Sequence, residues 1–271
     1  MTLLAVFGNP IDHSRSPAIH EAFAEQFGID LRYEKILVQP GLFNEAVQDF
    51  CDRGGTGFNI TVPCKLDAFN LVDLHDRTAQ TTGVVNTVSL TETGELTGYN
   101  TDGPGLVRDL KTHLNWRLED RKILVLGAGG AVQGIMASLL SEAPSELAIW
   151  NRSAHKAIDI AGLFSDSRVT AKVDSEFTSS YDLVINGTSA GLSGSVPLVP
   201  RRVLGPETHC YDMVYGSDKT HFLKWCCLDQ ARPCADGLGM LIEQAALAFS
   251  IWFGREPDTH QVFTQLSHGS D

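Results

Sequence analysis

Residues 123–131 join a short apolar strand directly to a glycine-rich turn. Ile123-Leu124-Val125-Leu126 runs into Gly127-Ala128-Gly129-Gly130-Ala131, after which small and apolar residues start a helix. A buried strand that turns at once into a helix leaves backbone N–H groups at the helix start free to meet a pyrophosphate. Gly127 then serves the tight turn and Gly129 the close approach, which makes the segment a nicotinamide dinucleotide turn. A strict third glycine would stand at Val132, so the clearance there is expected from Gly130 and Ala131. A glycine triplet alone is often just a turn; the strand before it and the helix start after it carry the reading.

The next strand, Glu146–Trp150, ends in Asn151-Arg152-Ser153, with Lys156 close by. NAD-specific folds place an acidic side chain on the ribose hydroxyl at this strand end, about 20 residues past the turn, and it would repel a 2′-phosphate. Arg152, Ser153 and Lys156 can pair with that phosphate, so NADP is favoured over NAD. The bland alternative is a solvated basic turn.

Apolar strand-like runs alternate with helix-period stretches as far as about Tyr215, the rhythm of parallel sheets with crossover helices. The class is α/β. In the first part Leu3–Phe7, Tyr33–Val38 and Gly57–Val62 read as strands and Ser16–Phe27 and Gly41–Arg53 as helices, while Val84–Leu90 and Glu95–Tyr99 flank a Thr93-Gly94 hairpin. Gly103–Leu114 reads as a linking helix. A fresh set of strands follows: Ile123–Leu126, Glu146–Trp150, Asp182–Asn186 and Cys210–Met213. The closing helix, Leu238–Phe253, has apolar residues on most faces and is expected to return to the first domain. The expected domains are therefore 1–102 plus 238–271 and 103–237, with the site in a cleft between two lobes.

The 271 residues suit two domains, and their 43% apolar and 20% charged content is that of an ordinary globular chain. Lys and Arg number 21 against 33 Asp and Glu, a net charge of −12 that disfavours nucleic acid or an anionic membrane as partner. Any anion site must then recruit local cations or helix N-termini. The six cysteines lack metal-ligand spacing and read as reduced thiols. Met1–Phe7 looks like a first strand rather than a targeting peptide, and a cytoplasmic location is the expectation.

Three polar clusters follow or close strands of the first domain: Ser14-Arg15-Ser16-Pro17, Asn59-Ile60-Thr61-Val62-Pro63-Cys64-Lys65 and Asn100-Thr101-Asp102-Gly103. Such ends gather at the carboxyl edge of a parallel sheet, where α/β proteins hold ligands. Each also has a plain structural reading: a helix cap at Ser14 or Ser16, a surface charge at Lys65, an N-cap at Asp102. In order with Val85-Asn86-Thr87, the glycine turn, Asn151-Arg152 and Asp236-Gly237-Leu238-Gly239-Met240, they closely resemble the shikimate dehydrogenases, over essentially the whole chain.

That resemblance implies a discontinuous substrate domain with a mostly parallel sheet, a Rossmann-like NADP domain, and reversible NADPH-dependent reduction of 3-dehydroshikimate to shikimate, in the pathway to aromatic amino acids. It implies a monomer or homodimer working on small molecules, without a metal. Ser14 and Ser16 would hold the substrate carboxylate, and Asn59, Thr61, Asn86 and Gln244 the ring hydroxyls. Lys65 and Asp102 would be the catalytic pair, since hydride reaching a ketone leaves an alkoxide that must be protonated. Met213 and Gly237 would line the nicotinamide end, with Tyr215 near the substrate. Gln244, with Glu243 beside it, also interrupts an apolar helix. Two departures stand out: Cys64 replaces a bulkier residue, with thiol-reagent sensitivity as a consequence, and Ser153 replaces Thr. Mixed specificity for quinate and shikimate, or a ligand-sensing relative without turnover, remain alternatives.

Overall fold

β1 (Thr2–Gly8) carries apolar side chains on both faces, Ala5 and Phe7 on one and Leu4 and Val6 on the other, all 2% exposed or less. A strand with no polar face needs cover on both sides, which a central parallel strand between helices receives. The computed structural model, which describes residues 1–188, 190, 194–216 and 218–268, meets this condition. β1 leads through α1 (Ser16–Phe27) to β2 (Leu31–Leu37), and α2 (Phe43–Asp52) leads to β3 (Gly55–Ile60). After α3 (Lys65–Leu71), β4 (Leu74–His75) and α4 (Arg77–Thr82) come β5 (Thr87–Leu90) and β6 (Leu96–Tyr99).

These strands form one sheet in the order β2-β1-β3-β5-β6-β4. Only β5 runs antiparallel to its neighbours. Ala5, Phe7, Phe58 and Ile60 pack on Val47 and Phe50 of α2, Ala68 of α3 and Ala79 of α4. Leu4 and Val6 share the opposite face with Ile11 and Tyr33. Because β6 is parallel to β3, the ends of β1, β3 and β6 lie at one edge of the sheet, and β5 begins there. The four polar stretches after Gly8, Ile60 and Tyr99 and before Thr87 are thereby gathered.

α5 (Asp102–Arg108) continues into a π-helical turn at Asp109–His113. The second sheet follows: β7 (Lys122–Leu126), α6 (Gly130–Ser141), β8 (Glu146–Trp150), α7 (Ala154–Ala161), β9 (Val169–Lys172), β10 (Tyr181–Asn186), β11 (Leu204–Asp212), α8 (His221–Cys226) and β12 (Cys234–Asp236). All its pairings are parallel, in the order β12-β11-β10-β7-β8-β9. Read from its other edge and numbered within the sheet this is 3-2-1-4-5-6, the order of the Rossmann fold, whose switch point lies between β7 and β10. The α/β class with two mostly parallel sheets agrees with the sequence reading.

α9 (Leu238–Phe253) places Phe249 against Phe23 of α1, with ring centroids 5.7 Å apart, and its Trp252 indole donates to the Val88 carbonyl at 2.9 Å. α10 (Thr259–His268) ends the described chain. Two compact units result, Met1–Leu106 with Leu241–Asp271, and Val107–Met240, so both chain crossings fall inside helices, α5 and α9.

Several boundaries differ from the sequence reading for physical reasons. The run read as Val84–Leu90 pairs as a strand only from Thr87, because Val85 N–H turns aside to the Lys65 carbonyl. Cys210–Met213 overlaps only the end of the longer β11, Cys210 to Asp212, which is preceded in the strand by Pro206, Glu207 and His209. The linking helix changes from α to π geometry at Asp109. β4, β9 and β12 span two, four and three residues, too few for periodicity to register.

Candidate active site

In the first unit, one line of hydrogen bonds runs along the gathered strand ends. Ser14 Oγ donates to Ser16 Oγ (3.2 Å), and Ser16 is hydrogen-bonded to the Tyr33 hydroxyl. Tyr33 donates to Asn59 Oδ1 (2.7 Å), and Asn59 Nδ2 to Thr87 Oγ1 (2.9 Å). Thr87 donates to Asn86 Oδ1 (3.0 Å), and Asn86 Nδ2 to Asp102 Oδ1 (2.9 Å). The other oxygen of Asp102, Oδ2, is ion-paired to Lys65 Nζ. Low local dielectric strengthens such a chain and makes each broken link costly.

Local folding explains each placement. Lys65 and Asp102 are the first residues of α3 and α5, and both are buried, at 8% and 6% exposure. Asn100 Oδ1 accepts the Asp102 N–H at 3.1 Å, which fixes the start of α5. Asn86 also holds Thr101, accepting its N–H at 2.9 Å, and reaches Gln244 Oε1 at 3.3 Å. Gln244 comes this close because Gly105, one turn after Asp102, has no Cβ: one built there would stand 2.7 Å from the Gln244 backbone nitrogen. Gln244 is therefore a buried partner of Asn86 and not a solvent-facing residue.

Of the residues picked in this unit, Ser14, Ser16, Asn59, Lys65, Asn86, Asp102 and Gln244 thus belong to one bonded network. Thr61 stands apart from the relay. It follows β3, with its methyl group packed where a Gly8 side chain would be. Asn59 differs from its expected role in one respect: all its amide hydrogen-bonding atoms are already engaged within the protein, which makes it a positioning group.

His20, Tyr33 and Thr87 were not singled out by sequence. His20 is fully buried, stacks on Tyr33 with centroids 4.7 Å apart, and approaches Asn59 Oδ1 at 3.2 Å. Burial lowers its pKa to about 3, against the opposing pull of the Asn59 hydrogen bond, so the ring is neutral and donates from Nε2. Its Nδ1 has no partner among the described residues. Burial pushes the Tyr33 hydroxyl well above its ordinary range, which keeps it a donor to Asn59. The only signal for His20 was a polar residue on the apolar face of α1, beside Ile19 and Phe23. Cys64 corrects an expectation: at 2% exposure, with its thiol pushed up by burial, it is shielded from thiol reagents.

In the second unit, the carboxyl edge of the parallel sheet carries the remaining picks. Gly127 has φ +113°, a conformation that disfavours side chains, and its N–H donates to the Trp150 carbonyl at 2.7 Å. Gly129 caps the 12-residue α6, and a Cβ built on it meets nothing within 4 Å, so its outer face is open. Ala128, Gly130 and Ala131 complete this turn and helix start. The clearance expected from Gly130 and Ala131 comes instead from Gly187 after β10, where a Cβ would lie 2.5 Å from Val132 Cγ2.

Asn151 donates to the Ser153 carbonyl at 3.0 Å, shaping the turn before α7. Arg152 and Lys156 are exposed and have no ion-pair partner among the described residues. In a chain of net charge −12, two unneutralised cations beside an open helix N-terminus fit a phosphorylated dinucleotide. Met213 and Tyr215 follow β11, and Gly237 follows β12 with no room for a side chain against the Met213 carbonyl. Tyr215 thus lies in the second unit.

Residues 6–88 match the family model for the shikimate dehydrogenase substrate binding domain, 109–193 that for shikimate / quinate 5-dehydrogenase, and 237–262 that for the shikimate 5′-dehydrogenase C-terminal domain. The shikimate dehydrogenase (NADP(+)) of Alkalilimnicola ehrlichii is 48% identical over 97% of both chains. The crystal structure of an Ael1 enzyme from Pseudomonas putida superposes with a TM-score of 0.91 at 39% identity, covering 100% of each chain. Shikimate 5-dehydrogenase from Thermus thermophilus, solved with NADP(H) and shikimate, gives 0.87 at 32% identity over 97% of this chain and 98% of that one. The chain belongs to the shikimate dehydrogenase family.

Proposed function

We propose that this protein is an NADP-dependent shikimate dehydrogenase, reversibly reducing 3-dehydroshikimate to shikimate. The observation that carries the proposal is the buried Lys65–Asp102 pair, assembled with Asn86 and Gln244 from four separate stretches of chain. A buried ion pair is weak evidence for stability, since desolvation offsets much of its attraction, so its presence at a ligand-binding edge favours a chemical role.

In this reading the first unit binds substrate and the second binds cofactor. The Ser14 hydroxyl and the first backbone N–H groups of α1 receive the substrate carboxylate, as a helix N-terminus suits an anion. Thr61, Asn86 and Gln244 contact ring hydroxyls, while Asn59 fixes Asn86 and Thr87. The turn at Gly127–Ala131 holds the pyrophosphate, and Asn151, Arg152, Ser153 and Lys156 hold the adenosine ribose and its 2′-phosphate. Met213 and Gly237 flank the nicotinamide, with Tyr215 toward the substrate.

NADPH supplies the hydride. Lys65 Nζ stabilises the negative charge that develops on the carbonyl oxygen and gives it a proton, and the amine left behind takes a proton from solvent. Asp102 cannot swing away, because Asn86 holds its second oxygen, so it keeps the ammonium aimed and accepts from an adjacent ring hydroxyl. No helix among the described residues is long and apolar enough to cross a membrane. The six free cysteines support work in the cytoplasm.

The test follows NADPH consumption with 3-dehydroshikimate, and reduction of NADP and NAD with shikimate and with quinate. Turnover is expected with the shikimate pair and NADP. No turnover with any combination would overturn the proposal, and equal turnover of quinate would widen it to mixed specificity.

A further inference from the structure

Four of the six cysteines meet where β11, α8 and β12 join: Cys210, Cys226, Cys227 and Cys234. Cys227 Sγ and Cys234 Sγ are 3.3 Å apart, and both residues are half-buried, within reach of a small reagent. Cys210 and Cys226 are fully buried behind them. No group of three or more side chains among the described residues is arranged to hold a metal, so the cluster is a thiol pair with two shielded neighbours.

We propose that Cys227 and Cys234 are a redox-sensitive pair, closing to a disulfide when a low-molecular-weight disulfide such as oxidised glutathione accumulates. The backbone is already arranged for it. Cys234 opens β12 in register with Cys210 of β11, and Cys227 is the residue that caps α8. A disulfide needs sulfurs about 2 Å apart, so little more than an ångström separates the pair from bonding distance. The intervening residues 228–233 form a short turn held by Arg232, which donates to the Gly205 carbonyl at 2.9 Å.

The two thiols differ in role. Burial and then the contact with Cys234 push the Cys227 thiol up, while a hydrogen bond from the Arg232 backbone and the charge of Lys219 pull the other way. The Cys234 thiol is pushed up by its contact with Cys210 and then by burial. Cys227, with the Arg232 backbone N–H and the Lys219 charge beside it, is the attacking group. Its thiolate attacks oxidised glutathione, forming a mixed disulfide and releasing one glutathione thiolate. Cys234 then attacks the protein-side sulfur, forming the Cys227–Cys234 bond and releasing the second. The protons from the two cysteines end on the two glutathiones.

The test incubates the full-length native protein with oxidised glutathione at mildly alkaline pH, alkylates remaining thiols under denaturing conditions, and counts them by mass. Two of the six thiols should be protected, with residues 227 and 234 linked in the peptide map, and dithiothreitol should restore all six. Cys227→Ser and Cys234→Ser should each abolish the link, whereas Cys51→Ser should leave it unchanged. Six alkylatable thiols after oxidation, a bond between any other pair, or a link that survives either serine variant would overturn the proposal.

Discussion

Val132 and Gly187 share one space: a side chain on Gly187 would stand 2.5 Å from Val132 Cγ2 and 3.0 Å from Met213 Sδ. The absent third glycine of the dinucleotide turn is thus compensated just after the neighbouring strand, β10. Gly187→Ala should destabilise the protein by about 1–3 kcal/mol, the range for overpacking a filled core. Val132→Ala in the same chain should recover most of the loss. Urea unfolding of the single and double variants measures both, and a neutral Gly187→Ala would show that the turn has room to spare.

Arg152 is exposed and lacks an ion-pair partner among the described residues, so removing it disturbs little else. Arg152→Ala should raise KM for NADP about 10- to 100-fold, the loss of a charged hydrogen bond, while leaving NAD within about twofold. Initial rates with each cofactor decide it. An equal effect on both would mean that the turn does not read the 2′-phosphate.

The buried imidazole of His20 ties acid stability to the substrate network. Its pKa of about 3 lies below the ordinary 6.5, so the unfolded chain binds a proton that the folded chain refuses. The resulting stability is complete above pH 6.5 and is lost as pH falls toward 3, by at most about 1.4 kcal/mol per pH unit. His20→Gln keeps a donor for Asn59 but removes the titration. The difference in unfolding free energy between wild type and variant should shrink as pH falls from 6.5 to 4.5; a constant difference would contradict the assignment.

The legibility of the chain followed the range of the interactions involved. α1 was readable to the residue, because Pro17 at its start and Gly28 after its end are local signals. Lys65 and Asp102 were readable as strand-end chemistry, and Asn86 through the resemblance that Val85-Asn86-Thr87 helps to carry. Gln244, 158 residues from Asn86, was marked by its polarity in an apolar helix. Tyr33 and Thr87 carried no such mark: a tyrosine and a threonine in strands look like ordinary β residues, and only the sheet order places them between Ser16 and Asn86. The compensation at Gly187 was equally hidden, since it depends on which strand lies beside β7.

The central claim is that Lys65 acts on the developing alkoxide and that Asp102, held by Asn86, aims it. Steady-state kinetics of Lys65→Ala with 3-dehydroshikimate and NADPH test it most directly. The account predicts a kcat lower by at least about a hundredfold with KM nearly unchanged, the pattern of a group that acts in the transition state. A raised KM with kcat intact would make Lys65 a binding residue and contradict the account.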